Sequence, residues 1–269
     1  MTNKPWMGML PVADTELAVT DTGGSNQPVI YLNGSFADQK HWKRVIESLG
    51  TEEWRHVTFD ERARGRSHTS SDYSFDGAVE DIGAVMEARG IEQPILVGWS
   101  MGATLAAHWA ARYPSRVRAV VCVDGALPWG LTGAEGQDRI RQLFHRLRWL
   151  FPIASRLGLA ARMSASDHAE VNIELNEITA AIAPVLERIE CPAVYVLGTG
   201  GNLGSGSDEM EEVRASLDPV LAISPNLTVG SKVPSNHSQL LRREYHAIAA
   251  AVRQANAEAR KTTPPAPTE

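Results

Sequence analysis

"LVGWSMGAT" occupies residues Leu96 to Thr104, and its reading decides the fold. An apolar run breaks at one serine, Ser100, framed by Gly98 and Gly102, then resumes as an alanine-rich stretch. Ile95–Trp99 has the apolar character of a strand and Met101–Tyr113 the spacing of a helix, so the serine stands where one turns into the other. In that place Gly-x-Ser-x-Gly has a mechanical meaning. The serine takes a strained turn that lifts its Oγ above the sheet, and glycines two residues to either side remove side chains that would collide in the bend. The bare pattern also fits an ordinary strand-to-helix turn. The flanking strand and helix are what favour a nucleophile.

Outward from this turn, short apolar runs alternate with helical patterns. Residues 28–34, 55–61, 94–100, 117–125, 191–198 and 226–233 read as strands, several almost continuously apolar, as burial on both faces of a parallel sheet requires. Between them "HWKRVIESLG", "FDGAVEDIGAVMEARG" and "MGATLAAHWAARYP" carry helical spacing and end on Gly or Pro. The expected fold is α/β, with a mostly parallel central sheet flanked by helices. The rhythm fails between Ala126 and Ile189, where helical patterns continue without a convincing strand. The expected division is an N-terminal arm (1–9), a core (10–125 and 190–256), a helical insert (126–189) over one edge of the sheet, and a disordered Pro/Thr tail (257–269).

Composition excludes several classes. The 269 residues are 43% hydrophobic and 22% charged with a net charge of −6, acids and bases interspersed, which offers no basic footprint for nucleic acid or an anionic membrane. No run has the length of a signal peptide's apolar segment or of a membrane span, so a cytosolic protein is expected. Cys122 and Cys191 are too few for a disulfide framework and read as packing residues. The histidines are scattered, no Cys/His cluster has ligand spacing, and no Gly-x-Gly-x-x-Gly follows a strand, so neither a metal nor an organic cofactor is expected.

A serine hydroxyl is a weak nucleophile and needs an imidazole to take its proton. Catalytic groups of parallel sheets gather beyond the carboxyl ends of the strands, and among the eight histidines His237, in "SNHSQLL" just after the strand 227–233, is at such an end. The other seven read as surface or packing residues. His108, two turns past Ser100, points along a packed face.

Together these segments resemble the α/β-hydrolase fold superfamily over roughly residues 10 to 255. "YLNGSFADQKHW" (31–42) is similar to its oxyanion loop, "FDERARGRS" (59–67) to its Asp-x-Arg-Gly-x-Gly-x-Ser segment, "VGWSMG" to its nucleophile elbow, and "SNHSQLLRREYHAIAAAV" to its catalytic-histidine loop and final helix. The resemblance implies a cap inserted after the sixth strand, where the helical stretch was found on pattern alone. It also implies backbone N–H groups of Ser35 and Met101 as the oxyanion hole. Two departures stand out. Asn33-Gly34 replaces the usual His-Gly, so the histidine's local hydrogen bonds must be replaced or lost. The loop after the seventh strand, where the family most often places its acid, has no carboxylate before Asp208.

Two acids therefore compete. Asp124 ends the strand beside the elbow strand, a placement that haloalkane dehalogenases also use, and is the favoured choice, although an Asp-Gly turn alone would explain it. Asp208 follows a Gly/Ser-rich loop and is explained as a first-turn residue of a helix capped by Ser207. The resulting expectation is a serine hydrolase of a small, largely apolar ester, lactone or thioester, with Ser100, His237 and Asp124 as triad. Carbon–carbon bond hydrolysis or a cofactor-independent lyase reaction would use the same constellation, and a ligand receptor with a vestigial site is the alternative of another class. Phe36, Trp99 and Trp129 are candidate pocket walls. Arg141 and Arg148, flanking the apolar stripe of 138–151, read mainly as snorkelling side chains and otherwise as a dock for an anionic substrate tail. Asp60, Arg62 and Arg64 read as braces of their loop.

Overall fold

The computed structural model describes residues 4–156, 160–202 and 206–262. Its strands are β1 (Trp6–Val12), β2 (Thr15–Asp21), β3 (Gln27–Leu32), β4 (Trp54–Phe59), β5 (Ile95–Trp99), β6 (Ala119–Val123), β7 (Ala193–Gly198) and β8 (Leu227–Val233). They form one sheet in the order β1-β2-β4-β3-β5-β6-β7-β8. The pairs β1–β2 and β2–β4 are antiparallel and all others parallel. The helices are α1 (Lys43–Leu49), α2 (Phe75–Arg89), α3 (Met101–Arg112), α4 (Gly133–Leu147), α5 (Phe151–Arg156), α6 (Ala165–Ala180), α7 (Ala183–Leu186), α8 (Ser207–Ala215), α9 (Asp218–Leu221), α10 (Leu240–Arg243) and α11 (Tyr245–Thr262).

Strand residues alternate between two cores, the period-two consequence of the pleat. Val29, Tyr31, Ile95, Val97, Val121 and Val123 pack toward α1 and α11. Their neighbours Ile30, Leu32, Leu96, Val120 and Cys122 pack toward α2 and α3. Both faces are covered, which is why these strands read as unbroken apolar runs.

Two expectations change. The segment 1–9 is not an arm throughout: Trp6–Val12 is the edge strand, paired in register with β2 from Trp6↔Asp21 to Val12↔Thr15. It lies at the edge of the sheet and is only partly buried, and although WMGMLPV is apolar, Gly8 and Pro11 interrupt its strand pattern, while its inner neighbour β2 is polar at Thr15, Glu16, Thr20 and Asp21. At the other end, α11 continues through residues 257–262, with Ala255 and Ala259 buried one turn apart. Residues 263–269, the rest of the expected disordered tail, lie outside the described residues. Helices α4 to α7 fill the interval between β6 and β7, as the insert was expected to do.

Candidate functional site

Ser100 sits between β5 and α3 with φ 56° and ψ −118°, a left-handed strain that a non-glycine residue adopts only where its surroundings enforce it. The enforcement is visible at the flanking glycines. A Cβ on Gly98 would lie 2.1 Å from the Gly102 carbonyl oxygen, and one on Gly102 would lie 2.1 Å from the carbonyl oxygen of Leu32. The bend exists because strand, turn and the β3 end meet backbone to backbone. The Ser100 amide donates to Val123 O at 3.0 Å, tying the turn to the end of β6.

The next residue, immediately after β6, is Asp124, itself at φ 46°, with a fully buried carboxyl group. His237, in the loop after β8, meets it: Nδ1 lies 2.9 Å from Asp124 Oδ2. Arg214, from α8, grips the same carboxylate with Nε 2.8 Å from Oδ1 and Nη2 2.9 Å from Oδ2, and the Gly198 amide donates to Oδ1 at 3.1 Å. Burial pushes the Asp124 carboxyl up, but the bonds from Arg214 and His237 outweigh it and hold the group well below the usual carboxylate range. The ring of Trp99 lies 5.5 Å from that of His237. No hydrogen bond joins Ser100 Oγ to His237. The structure thus brings Asp124 and His237 into contact and sets Ser100 at the same sheet end. Asp208 is exposed in the first turn of α8, whose N-cap is Gly206 rather than Ser207.

The loop after β3 lies against the serine: a Cβ on Gly34 would be 3.4 Å from Ser100 Cβ. Neither the Ser35 nor the Met101 amide donates to a protein group among the described residues. Asn33, in the place of the usual histidine, has its side chain fully bonded within the protein. Asn33 donates through N and Nδ2 to the two oxygens of Glu61, each at 2.8 Å, and through Nδ2 to Phe59 O, while its Oδ1 accepts from Trp42 Nε1. Arg64 Nε donates to Ser35 O at 2.9 Å. Asp60 accepts from the Gln39 and Arg66 amides, and Arg62 forks onto Asp81.

A profile of the alpha/beta hydrolase fold matches residues 27–194. The chain belongs to the α/β-hydrolase fold family. It is similar to a haloalkane dehalogenase of Mesorhizobium japonicum (27% identity over 146 residues, 54% of this chain and 47% of that protein). A thermophilic esterase from Thermogutta terrifontis, solved with malate bound, superposes with a TM-score of 0.69 at 20% identity, covering 94% of this chain and 99% of that one. A similar superposition holds for E-2-(acetamidomethylene)succinate hydrolase (TM-score 0.67, 19% identity, 93% and 98% covered). The chain spans about half the length or less of the curated relatives it matches.

In this α/β-hydrolase a cavity of about 30 Å³, room for one or two waters, opens beside Met101 and is walled by Arg64, Phe75, Leu105, Met163 and Glu174. None of Phe36, Trp99 and Trp129 lines it. Phe36 and Trp129 are exposed, and Phe36 stacks 6.0 Å from His168 of α6. Arg141 is engaged by Glu170 and Asp138. The apolar stripe of 138–151 divides: Ile140 and Phe144 of α4 are buried against α6, while Leu143 and Leu147 of α4 and Leu150 in the turn after it are exposed. Among the described residues no three His, Cys, Asp or Glu converge as metal ligands, and no helix is long and apolar enough to cross a membrane. Two partners of the site were absent from the sequence reading. Glu61 lay within a recognised motif, but Arg214 is one arginine of an ordinary amphipathic helix, and nothing local signals it.

Proposed function

We propose that this α/β-hydrolase is a serine hydrolase that cleaves a small, largely apolar ester, lactone or thioester. The observation that carries the reading is the Asp124–His237 contact at the same sheet end as a serine held at positive φ. In the first half-reaction Ser100 Oγ attacks the carbonyl carbon while His237 takes its proton. The tetrahedral oxyanion is received by the Ser35 and Met101 amides. As the carbonyl re-forms, the bond to the leaving oxygen or sulfur breaks and His237 returns the proton to it. Water repeats the sequence on the acyl-enzyme, releasing the acid and free Ser100. Asp124 holds the imidazole with Nδ1–H toward itself and stabilises its positive form. The lack of a Ser100–His237 hydrogen bond is compatible with this, since catalytic hydrogen bonds often tighten only with substrate present. Fold-level likeness to an esterase supports the class and does not select the substrate.

A fluorophosphonate probe tests the reading directly. Peptide mapping should find the adduct on Ser100, and Ser100→Ala, folded by circular dichroism, should neither label nor hydrolyse p-nitrophenyl butyrate above background. Failure of the folded wild-type protein to label would overturn the assignment.

A further inference from the structure

Arg214 has no place in the scheme above, yet it makes more bonds to Asp124 than His237 does. Its side chain is 7% exposed and that of Asp124 is 0% exposed. The guanidinium meets the carboxylate as a two-pronged fork, and its remaining nitrogen, Nη1, donates to Gly200 O at 2.8 Å. The adjacent Gly201 carbonyl accepts from the His237 amide at 3.1 Å. Arg214 therefore connects the acid to the loop on which the histidine backbone rests. The packing here is tight: a Cβ on Gly198 would lie 2.6 Å from Ser235 O and 3.1 Å from Nη2. A fork of this kind fixes the carboxylate plane, which a lysine's point charge does not.

Resting on the proposed serine-hydrolase reading, we infer that Arg214 is a positioning residue of the triad, aiming Asp124 Oδ2 at His237 Nδ1 and balancing the acid's charge so that the pair resists protonation. The argument is one of charge counting. A buried aspartate beside a neutral imidazole carries an unbalanced negative charge, which a proton on the pair would relieve. Arg214 relieves it without a proton, leaving the imidazole free to act as base at lower pH. The groups that face the pair are Arg214 from α8, the Gly198 amide from β7 and the uncharged Trp99 from β5; no other charged side chain among the described residues bonds to either member. His41, with its partner Asp38, lies beyond the Trp99 ring.

Arg214→Gln and Arg214→Lys separate the two roles. With p-nitrophenyl butyrate, Arg214→Gln should move the acid limb of kcat/KM upward by about one pH unit or more, the usual effect of a charge within a few ångströms, with KM little changed. Arg214→Lys should keep the acid limb near that of the wild type but lose roughly tenfold in kcat, because charge remains and the fork is gone. Proton NMR of the downfield His237 Nδ1–H reads the same equilibrium without turnover, so the inference is tested even if no ester is hydrolysed. Its titration midpoint should rise in Arg214→Gln. An unmoved midpoint in folded Arg214→Gln overturns the charge role. If that variant does not fold, Arg214→Lys with wild-type kcat and an unchanged Nδ1–H resonance overturns the positioning role.

Discussion

At Asp124 the backbone and the side chain serve separate ends. Positive φ turns the chain away from the sheet, while the carboxylate is held by four bonds, from Arg214, His237 and Gly198. Replacing one oxygen by an amide keeps the shape but presents the imidazole with a donor where it needs an acceptor. Asp124→Asn should therefore lower kcat by about 10⁴, the loss seen when a triad aspartate is amidated, measured on the chromogenic ester under saturation. Asp208→Asn, at an exposed first-turn position, should leave kcat within about twofold, since surface changes of this kind act weakly and on stability. The reverse pattern would transfer the role to Asp208. Asp124 could be picked from the sequence because it ends a strand adjacent to the elbow strand. Arg214 could not, because it reaches the site only after α8 packs.

The turn between β5 and α3 is a matter of backbone approach. Gly102→Ala forces a methyl group to within 2.1 Å of Leu32 O, and a carbonyl on a central strand has no rotamer to change. The variant should lose about 1–3 kcal/mol or more, read as a lower urea midpoint; unchanged stability would show that the bend can relax. Further along α3, His108 packs edge-on to Phe75 at 4.9 Å with its Nε2 buried and unpartnered. Burial, aided by Arg112, lowers it from 6.5 to about 4. The folded state therefore binds this proton less readily than the unfolded chain. The stability His108 leaves intact above pH 6.5 declines as pH falls from there toward 4. His108→Leu should flatten the fall of Tm across that window relative to wild type, and parallel curves would refute the assignment.

Across the whole molecule, the insert joins the core through the buried Leu127, Ile182, Leu186 and Ile189, and through polar and ring contacts: Phe36 against His168, Glu174 receiving the Phe75 amide at 3.0 Å, and Arg162 donating to Gly65 O at 2.7 Å. The insert's share of the wall of the cavity beside Met101 is Met163, Val171, Glu174 and Leu175. The proposed chemistry takes its electrophilic stabilisation from two backbone amides, so ester turnover should survive exhaustive dialysis against a chelator. Loss of activity that zinc or magnesium restores would refute that account. Arg141, engaged by Glu170 and Asp138, is better placed to hold α4 on α6 than to dock an anionic tail.

What the sequence determined by itself was whatever depends on local period and local sterics. Continuous apolar runs specified the parallel strands, and Gly98-x-Ser100-x-Gly102 specified a bend that only glycines permit. His237 and Asp124 were legible because both follow strand ends, and strand ends in such a sheet share one side. The hairpin of β1 and β2 was not legible, because Gly8 and Pro11 break the strand pattern of β1 and β2 has a short apolar stretch, Leu17–Val19, between polar ends. Helix α11 outlasted its expected end because alanines pack well without a strong hydrophobic signal. Tertiary structure alone decided which group each buried charge meets. Glu61 reaches Asn33, Arg64 the Ser35 carbonyl and Arg214 the Asp124 carboxylate, each through a long side chain whose target lies 28, 29 and 90 residues away. No periodicity records such a contact, since a buried charge is tolerated only where a bonding partner offsets its desolvation, and that partner is in place only once the elements have packed.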